Sequence, residues 1–215
     1  MKSLTVNEFR VAMEADAQIV DSRPAGIFTE KFIPGSYWLG LEGSLEQWAK
    51  LFLDPELPTL ILTEAGQEEE TARRLEKAGL KKPIGYLEGG MEAWEADSWE
   101  LDMLITVESD ELMMDIPFDD NLQVVDVRTA AEFESGHLKD ALNLPLEEMN
   151  DLAEIANFED QQNLYLHSEH NYRSLVAAAL LKRHGIHNLR QVTGGWKAIE
   201  KENKADIVRV QTKKS

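Results

Sequence analysis

The chain has 215 residues, 40 acidic against 22 basic, a net charge of −18 and no cysteine. At roughly 100–200 residues per domain this is one large domain or two small ones, and 43% hydrophobic with 29% charged residues is ordinary for a globular chain. The charge argues against a nucleic-acid backbone as partner, which needs Lys and Arg, and the absence of cysteine excludes disulfides, thiolate metal sites and cysteine nucleophiles together. No run approaches the ~20 apolar residues of a membrane span. The opening MKSLTVNEFR lacks the apolar stretch of a secretory signal. No membrane contact and a cytoplasmic location are therefore expected.

The chain repeats itself. Residues 19–23 read Ile-Val-Asp-Ser-Arg and residues 124–128 read Val-Val-Asp-Val-Arg, an offset of 105. The same offset carries Phe28 to Phe133, Ile33 to Leu138, Leu75 to Leu180, Gly89-Gly90 to Gly194-Gly195 and Ala93 to Ala198. A constant offset over such a length predicts two copies of one fold. The copies are placed at 1–98 and 104–210, with the join within Glu95–Met103. Residues 1–105 hold 20 acidic and 10 basic side chains and residues 106–215 hold 20 and 12, so neither copy is basic.

In the second copy, Gln123–Val127 is a short apolar run suited to a buried strand, and Thr129–Glu134 reads as a short helix ending near Gly136. Asn163–Leu166 is a second buried strand. Arg173–His184 carries an apolar stripe of Leu175, Val176, Leu180 and Leu181, with Gly185 as its left-handed cap. Leu189–Val192 is a third strand, and Gly194-Gly195 turns into a last helix from Trp196. Strands alternating with helices imply a mainly parallel sheet covered on both faces, with function at the carboxyl ends of the strands.

The loop His167–Tyr172 joins a buried strand to a helix, where unpaired backbone N–H groups make a natural anion cradle. Arg173 adds a full charge. Asp126 and Arg128 end a neighbouring strand, where an ion pair between them would order the strand end.

These residues resemble the rhodanese-like sulfurtransferases over nearly the whole chain, twice. In the second copy the resemblance rests on Val125-Asp126-Val127-Arg128, on Phe133 with Gly136-His137-Leu138, on His167–Ser174 and on Thr193-Gly194-Gly195-Trp196. It is similar above all to the tandem rhodanese region that follows a metallo-β-lactamase-fold domain in persulfide dioxygenase fusions. There the active loop reads His-Cys-Ala-Gly-Gly-Tyr-Arg-Ser; here it reads His167-Ser168-Glu169-His170-Asn171-Tyr172-Arg173-Ser174. The resemblance implies an α/β fold of two rhodanese-like domains, each a small, mainly parallel sheet flanked by helices. It leaves open whether the chain stands alone or is the C-terminal part of a longer protein.

The departures carry the functional expectation. In the family a cysteine thiolate accepts a sulfane sulfur, and loop amides with the arginine stabilise the anion. Ser168 stands at that cysteine, and a hydroxyl is a weak nucleophile that cannot hold a persulfide. His170-Asn171 replace the glycine pair, so β-carbons would strain or fill the cradle. Glu169 adds negative charge. The first copy reads Thr63-Glu64-Ala65-Gly66-Gln67-Glu68, running into Glu69-Glu70, acids that stabilise a helix start and neutralise its anion site.

Three alternatives attach to the second loop. Ser168 could be an active hydroxyl with His167 or His170 as base. His167, Glu169 and His170 could ligate a metal, although the zinc-protease spacing is absent. Arg173 either binds an anion or pairs with Asp126 or Glu169. Met113-Met114 read as core or edge packing, or as an adaptable binding edge.

The preferred reading is a catalytically inactive tandem module linked to sulfur metabolism, with no cofactor and no metal. It would bind a small anion at Ser168–Arg173, supported by Asp126 and Arg128, or a protein partner such as a dioxygenase or hydrolase domain. The alternative is an enzyme: a sulfurtransferase by an atypical route, or a serine-dependent hydrolase at the same loop.

Overall fold

The computed structural model describes residues 1–155, 158 and 161–209, and the chain divides into two compact units, Met1–Met103 and Leu104–Ser215. In unit one the elements run β1 (Ser3–Leu4), α1 (Val6–Glu14), β2 (Gln18–Asp21), α2 (Ala25–Glu30), β3 (Tyr37–Trp38), α3 (Leu45–Phe52), β4 (Thr59–Leu62), α4 (Glu68–Lys77), β5 (Gly85–Leu87) and α5 (Gly90–Ala96). The five strands are all parallel, in the order β1-β5-β4-β2-β3. Every residue of the central strands β2 and β4 is buried, as expected for a parallel sheet covered on both faces. Phe9, Leu60, Leu62, Leu87, Met91 and Trp94 belong to one core cluster.

Unit two repeats the plan. Its elements are β6 (Ile105–Val107), α6 (Ser109–Asp115), β7 (Leu122–Asp126), α7 (Ala130–Ser135), β8 (His137–Leu138), β9 (Leu142–Asn143), α8 (Leu152–Ile155), β10 (Asn163–His167), α9 (Tyr172–Arg183), β11 (Leu189–Val192), α10 (Trp196–Ile199) and β12 (Ile207–Val208). The parallel order β6-β11-β10-β7-β9 is that of unit one element for element. Asp126 sits opposite His167 as Asp21 sits opposite Leu62. Gly185 takes φ +85° after α9, the left-handed stop expected there. The place of α3 is taken in unit two by a single 3-10 turn, Leu146–Glu148, and the short α8.

The repeat reaches further than its sequence identity. Asp102 forms an antiparallel bridge with Phe32, and β12 pairs with β8, Ile207 opposite Leu138 and Val208 opposite His137. Each unit is thus closed by a return segment after its last helix. Glu95 and Ala96 still lie in α5, so much of the expected join is built into unit one. Met113 is buried in the core of unit two whereas Met114 is half exposed.

One polar device recurs at the strand end of both units. Arg128 Nε donates to Asp126 Oδ1 at 3.0 Å and Oδ2 at 3.1 Å, and its Nη2 donates to Oδ2 and to the Gly136 carbonyl, both at 2.7 Å. Arg23 does the same with Asp21 and the Lys31 carbonyl. All four side chains are 5% exposed or less. The expected ion pair is present, and it is double. Removing one member of such a buried pair strands a charge, which costs about 3–5 kcal/mol. Arg128→Met is therefore expected to destabilise unit two by that amount in urea unfolding, and Arg23→Met unit one similarly. A loss below about 1 kcal/mol would contradict this account.

Candidate functional site

The site of unit two lies at the carboxyl ends of β7, β10 and β11. A crevice of about 350 Å³ opens there, lined by Arg128, Glu132, Ser135, Glu169, Trp196, Lys197, Glu200 and Arg209. Its floor is built on Arg128. With Nε and Nη2 held by Asp126 and Gly136, the guanidinium lies 4.4 Å from the Trp196 ring centroid, a cation–π contact. The His167 ring also stacks on Trp196, centroids 6.3 Å apart and planes 25° from parallel.

The loop between β10 and α9 is folded around its own side chains. Ser168 is 1% exposed. Its Oγ donates to the His170 carbonyl at 3.0 Å and accepts the Ser174 N–H at 3.2 Å. Asn171 Oδ1 accepts the Gly194 N–H at 2.7 Å. The Ser168 carbonyl accepts from the Trp196 N–H at 2.7 Å and the Glu169 carbonyl from that of Lys197 at 3.3 Å. Gly195, at φ +57°, permits this approach: a β-carbon there would lie 2.3 Å from the Ser168 and His170 carbonyl oxygens.

The expected strain at His170-Asn171 is absent. Among described non-glycine residues only Asp16, Ser98 and Asp140 have positive φ, and Asn171 is at φ −104°, ψ −30°. The residues that replace the glycine pair have let the loop settle in ordinary backbone space, with Asn171 pinning it to the Gly194 turn.

Arg173 makes neither of the expected pairings. It donates from both terminal nitrogens to Glu132, 2.7 Å each, and not to Asp126 or Glu169. Glu132 also closes the Thr129 capping box of α7. Arg173 beside it holds its carboxyl down to about 2. Glu169 instead faces Lys197 Nζ at 3.0 Å and Arg128 Nη1 at 3.6 Å. Sequence reasoning missed Glu132, Lys197 and Arg209. The spacing Thr129-x-x-Glu132 was a visible capping signal, but nothing in the chain points to its second partner.

His167 is fully buried, 3.7 Å from Asp126 Oδ2, and neither ring nitrogen makes a hydrogen bond. Burial keeps the imidazole neutral and pulls its pKa below 6.5, against the opposing Asp126 charge. His170 contributes its carbonyl to Ser168, and neither histidine ring accepts the Ser168 proton. Among the described residues, no three His, Asp or Glu side chains converge as metal ligands, and no helix is long and apolar enough to cross a membrane.

In unit one the corresponding crevice, about 410 Å³, is lined by residues including Arg23, Lys31, Thr63, Glu64, Glu68 and Glu92. Lys31 is bound to Glu95 at 2.6 Å and Arg23 to Asp21, leaving carboxylates at the mouth. At the offset of 105, Glu68 stands where unit two has Arg173 and Ile27 where it has Glu132, so the bridge has no counterpart.

Residues 5–97 and 109–202 each match the family described as "Rhodanese-like domain". YqhL from Bacillus subtilis (strain 168), an uncharacterized protein, is 32% identical over 75 residues, 35% of this chain and 58% of that protein. The chain thus spans a little over half the length of that curated relative. Among solved structures, the rhodanese-like domain of Anabaena sp. Alr3790 is 19% identical, covering 50% of this chain and 81% of that domain, TM-score 0.45. Thiosulfate sulfurtransferase from Pseudomonas aeruginosa is 17% identical, covering 99% of this chain and 44% of that one, TM-score 0.43. SseA from Escherichia coli, described among 3-mercaptopyruvate sulfotransferases, is 16% identical, covering 90% and 98%, TM-score 0.40.

The buried His167 generates a pH prediction. A histidine neutral in the fold and protonated when unfolded contributes stability above its unfolded pKa near 6.5 and loses it as pH falls below that value. Leu62 fills the same register position in unit one. His167→Leu should therefore stabilise unit two increasingly towards acid. Its advantage over wild type should grow steadily as pH is lowered from about 7.5 to about 5.5 in denaturant titrations. A pH-independent difference would refute the neutral buried imidazole.

Proposed function

The chain belongs to the rhodanese-like domain family in both of its units, and from that premise we propose that it is a non-catalytic tandem module acting by binding within sulfur metabolism. One observation carries this reading: 215 residues contain no cysteine. Rhodanese-type sulfur transfer needs a thiolate that becomes a persulfide, and an alcohol has no equivalent state. The surroundings of Ser168 support the same conclusion. Its hydroxyl is buried, donates to a backbone carbonyl and has no imidazole to take its proton, whereas a serine nucleophile needs an adjacent base. This weighs equally against a serine-dependent hydrolase at the loop.

What the module binds follows from the two crevices. In unit two, Arg173 is committed to Glu132 and Arg128 and Lys197 already face Glu169; in unit one, carboxylates rim the opening. Both arrangements favour a protein partner over a small anion held freely by the wild-type chain. The partner we propose is a metallo-β-lactamase-fold dioxygenase domain, in the same chain or a separate one, on the resemblance carried by His167–Ser174 and the tandem arrangement.

The direct test is thiosulfate:cyanide sulfurtransfer by the purified chain in thiol-free buffer. Thiocyanate formation is expected to stay at the protein-free background. Saturable turnover in that buffer would overturn the non-catalytic reading.

A further inference from the structure

The carboxylate of Glu169 sits in the unit-two crevice as a bound anion would. One oxygen faces Lys197 Nζ at 3.0 Å and the other faces Arg128 Nη1 at 3.6 Å. The Arg128 group is not a surface cation that happens to be near. It is 1% exposed, its other donors are held by Asp126 and Gly136, and Nη1 is the part left to face the crevice. Glu169 itself is about a quarter exposed and sits on a loop, so its side chain can swing outward without disturbing the core. The Glu169 carboxylate also strengthens the hold of Lys197 on its proton.

We infer that Glu169 is a resident stand-in for an oxyanion, closing a place between Arg128 and Lys197 that accepts a tetrahedral dianion once that carboxylate is removed or displaced. Local charge supports this. Asp126 balances Arg128 and Glu132 balances Arg173, so Lys197 and Arg209 remain against Glu169 and Glu200. Withdrawing Glu169 turns a neutral crevice positive in a space large enough for sulfate. Unit one serves as an internal control. Its residues at the corresponding positions, Glu64 and Glu92, are both acidic, and both line that unit's crevice. The inference concerns binding alone and stands or falls separately from the presence of sulfurtransfer.

The experiment is calorimetric titration with sulfate, at ionic strength held constant with chloride. Glu169→Ala is expected to bind sulfate at least fivefold tighter than wild type. Glu169→Gln, which removes the charge and keeps the bulk and the loop packing, is expected to gain in the same direction. Adding Lys197→Ala to either variant should abolish the gain, and Glu64→Ala should produce none. A gain below fivefold in Glu169→Ala, a gain that survives Lys197→Ala, or an equal gain from Glu64→Ala would each overturn the inference.

Discussion

The structure of each unit depends on a buried carboxylate–guanidinium pair at the end of its second strand. Asp126 with Arg128, and Asp21 with Arg23, are three residues of chain closed into a rigid hook. The pair ends the strand, ties it to a carbonyl eight residues on, and orients the backbone from which the next loop departs. In unit two it also supports the site: the guanidinium packs on Trp196, Trp196 on His167, and the Trp196 N–H holds the Ser168 carbonyl. A buried ion pair is weak evidence for stability in itself. Here its double occurrence with the same bonding pattern marks it as part of the repeated fold rather than of either unit's specialisation.

On that shared frame the two units have diverged in opposite ways. The first has an acidic mouth; the second has a loop folded onto its own atoms. Ser168, Asn171 and the carbonyls of Ser168 and Glu169 all find partners within the loop or in the Gly194–Lys197 turn. An anion cradle works because backbone donors are left unpaired and side chains are absent. In the second loop side chains stand at His170-Asn171 and the Ser174 N–H is spent on Ser168 Oγ, and it reaches this state without a single left-handed residue in place of the glycines.

Much of this was legible in the chain. Short apolar runs at constant offset located the central strands, and Gly185 and the Gly194-Gly195 turn appeared where expected, because buried parallel strands and left-handed caps leave local signatures. The edge strands β3 and β9, two residues each, and the return segments at Asp102 and Ile207–Val208 carry no such signature; they exist only through pairing with a distant partner. The same distinction holds at the site. Asp126 and Arg128, two residues apart, could be paired by inspection. Arg173 could not be matched to Glu132, 41 residues away, since Asp126 and Glu169 stood as the plausible partners in the linear chain. Of the two outcomes foreseen at His170-Asn171, a strained loop or a cradle filled by side chains, strain is absent because the loop does not keep a glycine backbone once the glycines have gone.

On the non-catalytic reading proposed above, the unit-two loop has lost its preorganised anion geometry as well as its thiol. The most direct measurement compares cyanide-dependent sulfurtransfer of Ser168→Cys with that of a variant that also carries Glu169→Ala, His170→Gly and Asn171→Gly, both confirmed folded. A reactive cysteine needs a lowered pKa from a helix start and nearby positive charge, and losing one preorganised donor typically costs ~10²–10³ in rate. With Arg173 held by Glu132 and Glu169 beside the thiol, the single variant should be at least ~10-fold slower than the quadruple. Equal, brisk rates in the two would show that the backbone was competent all along and that only the thiol had been lost.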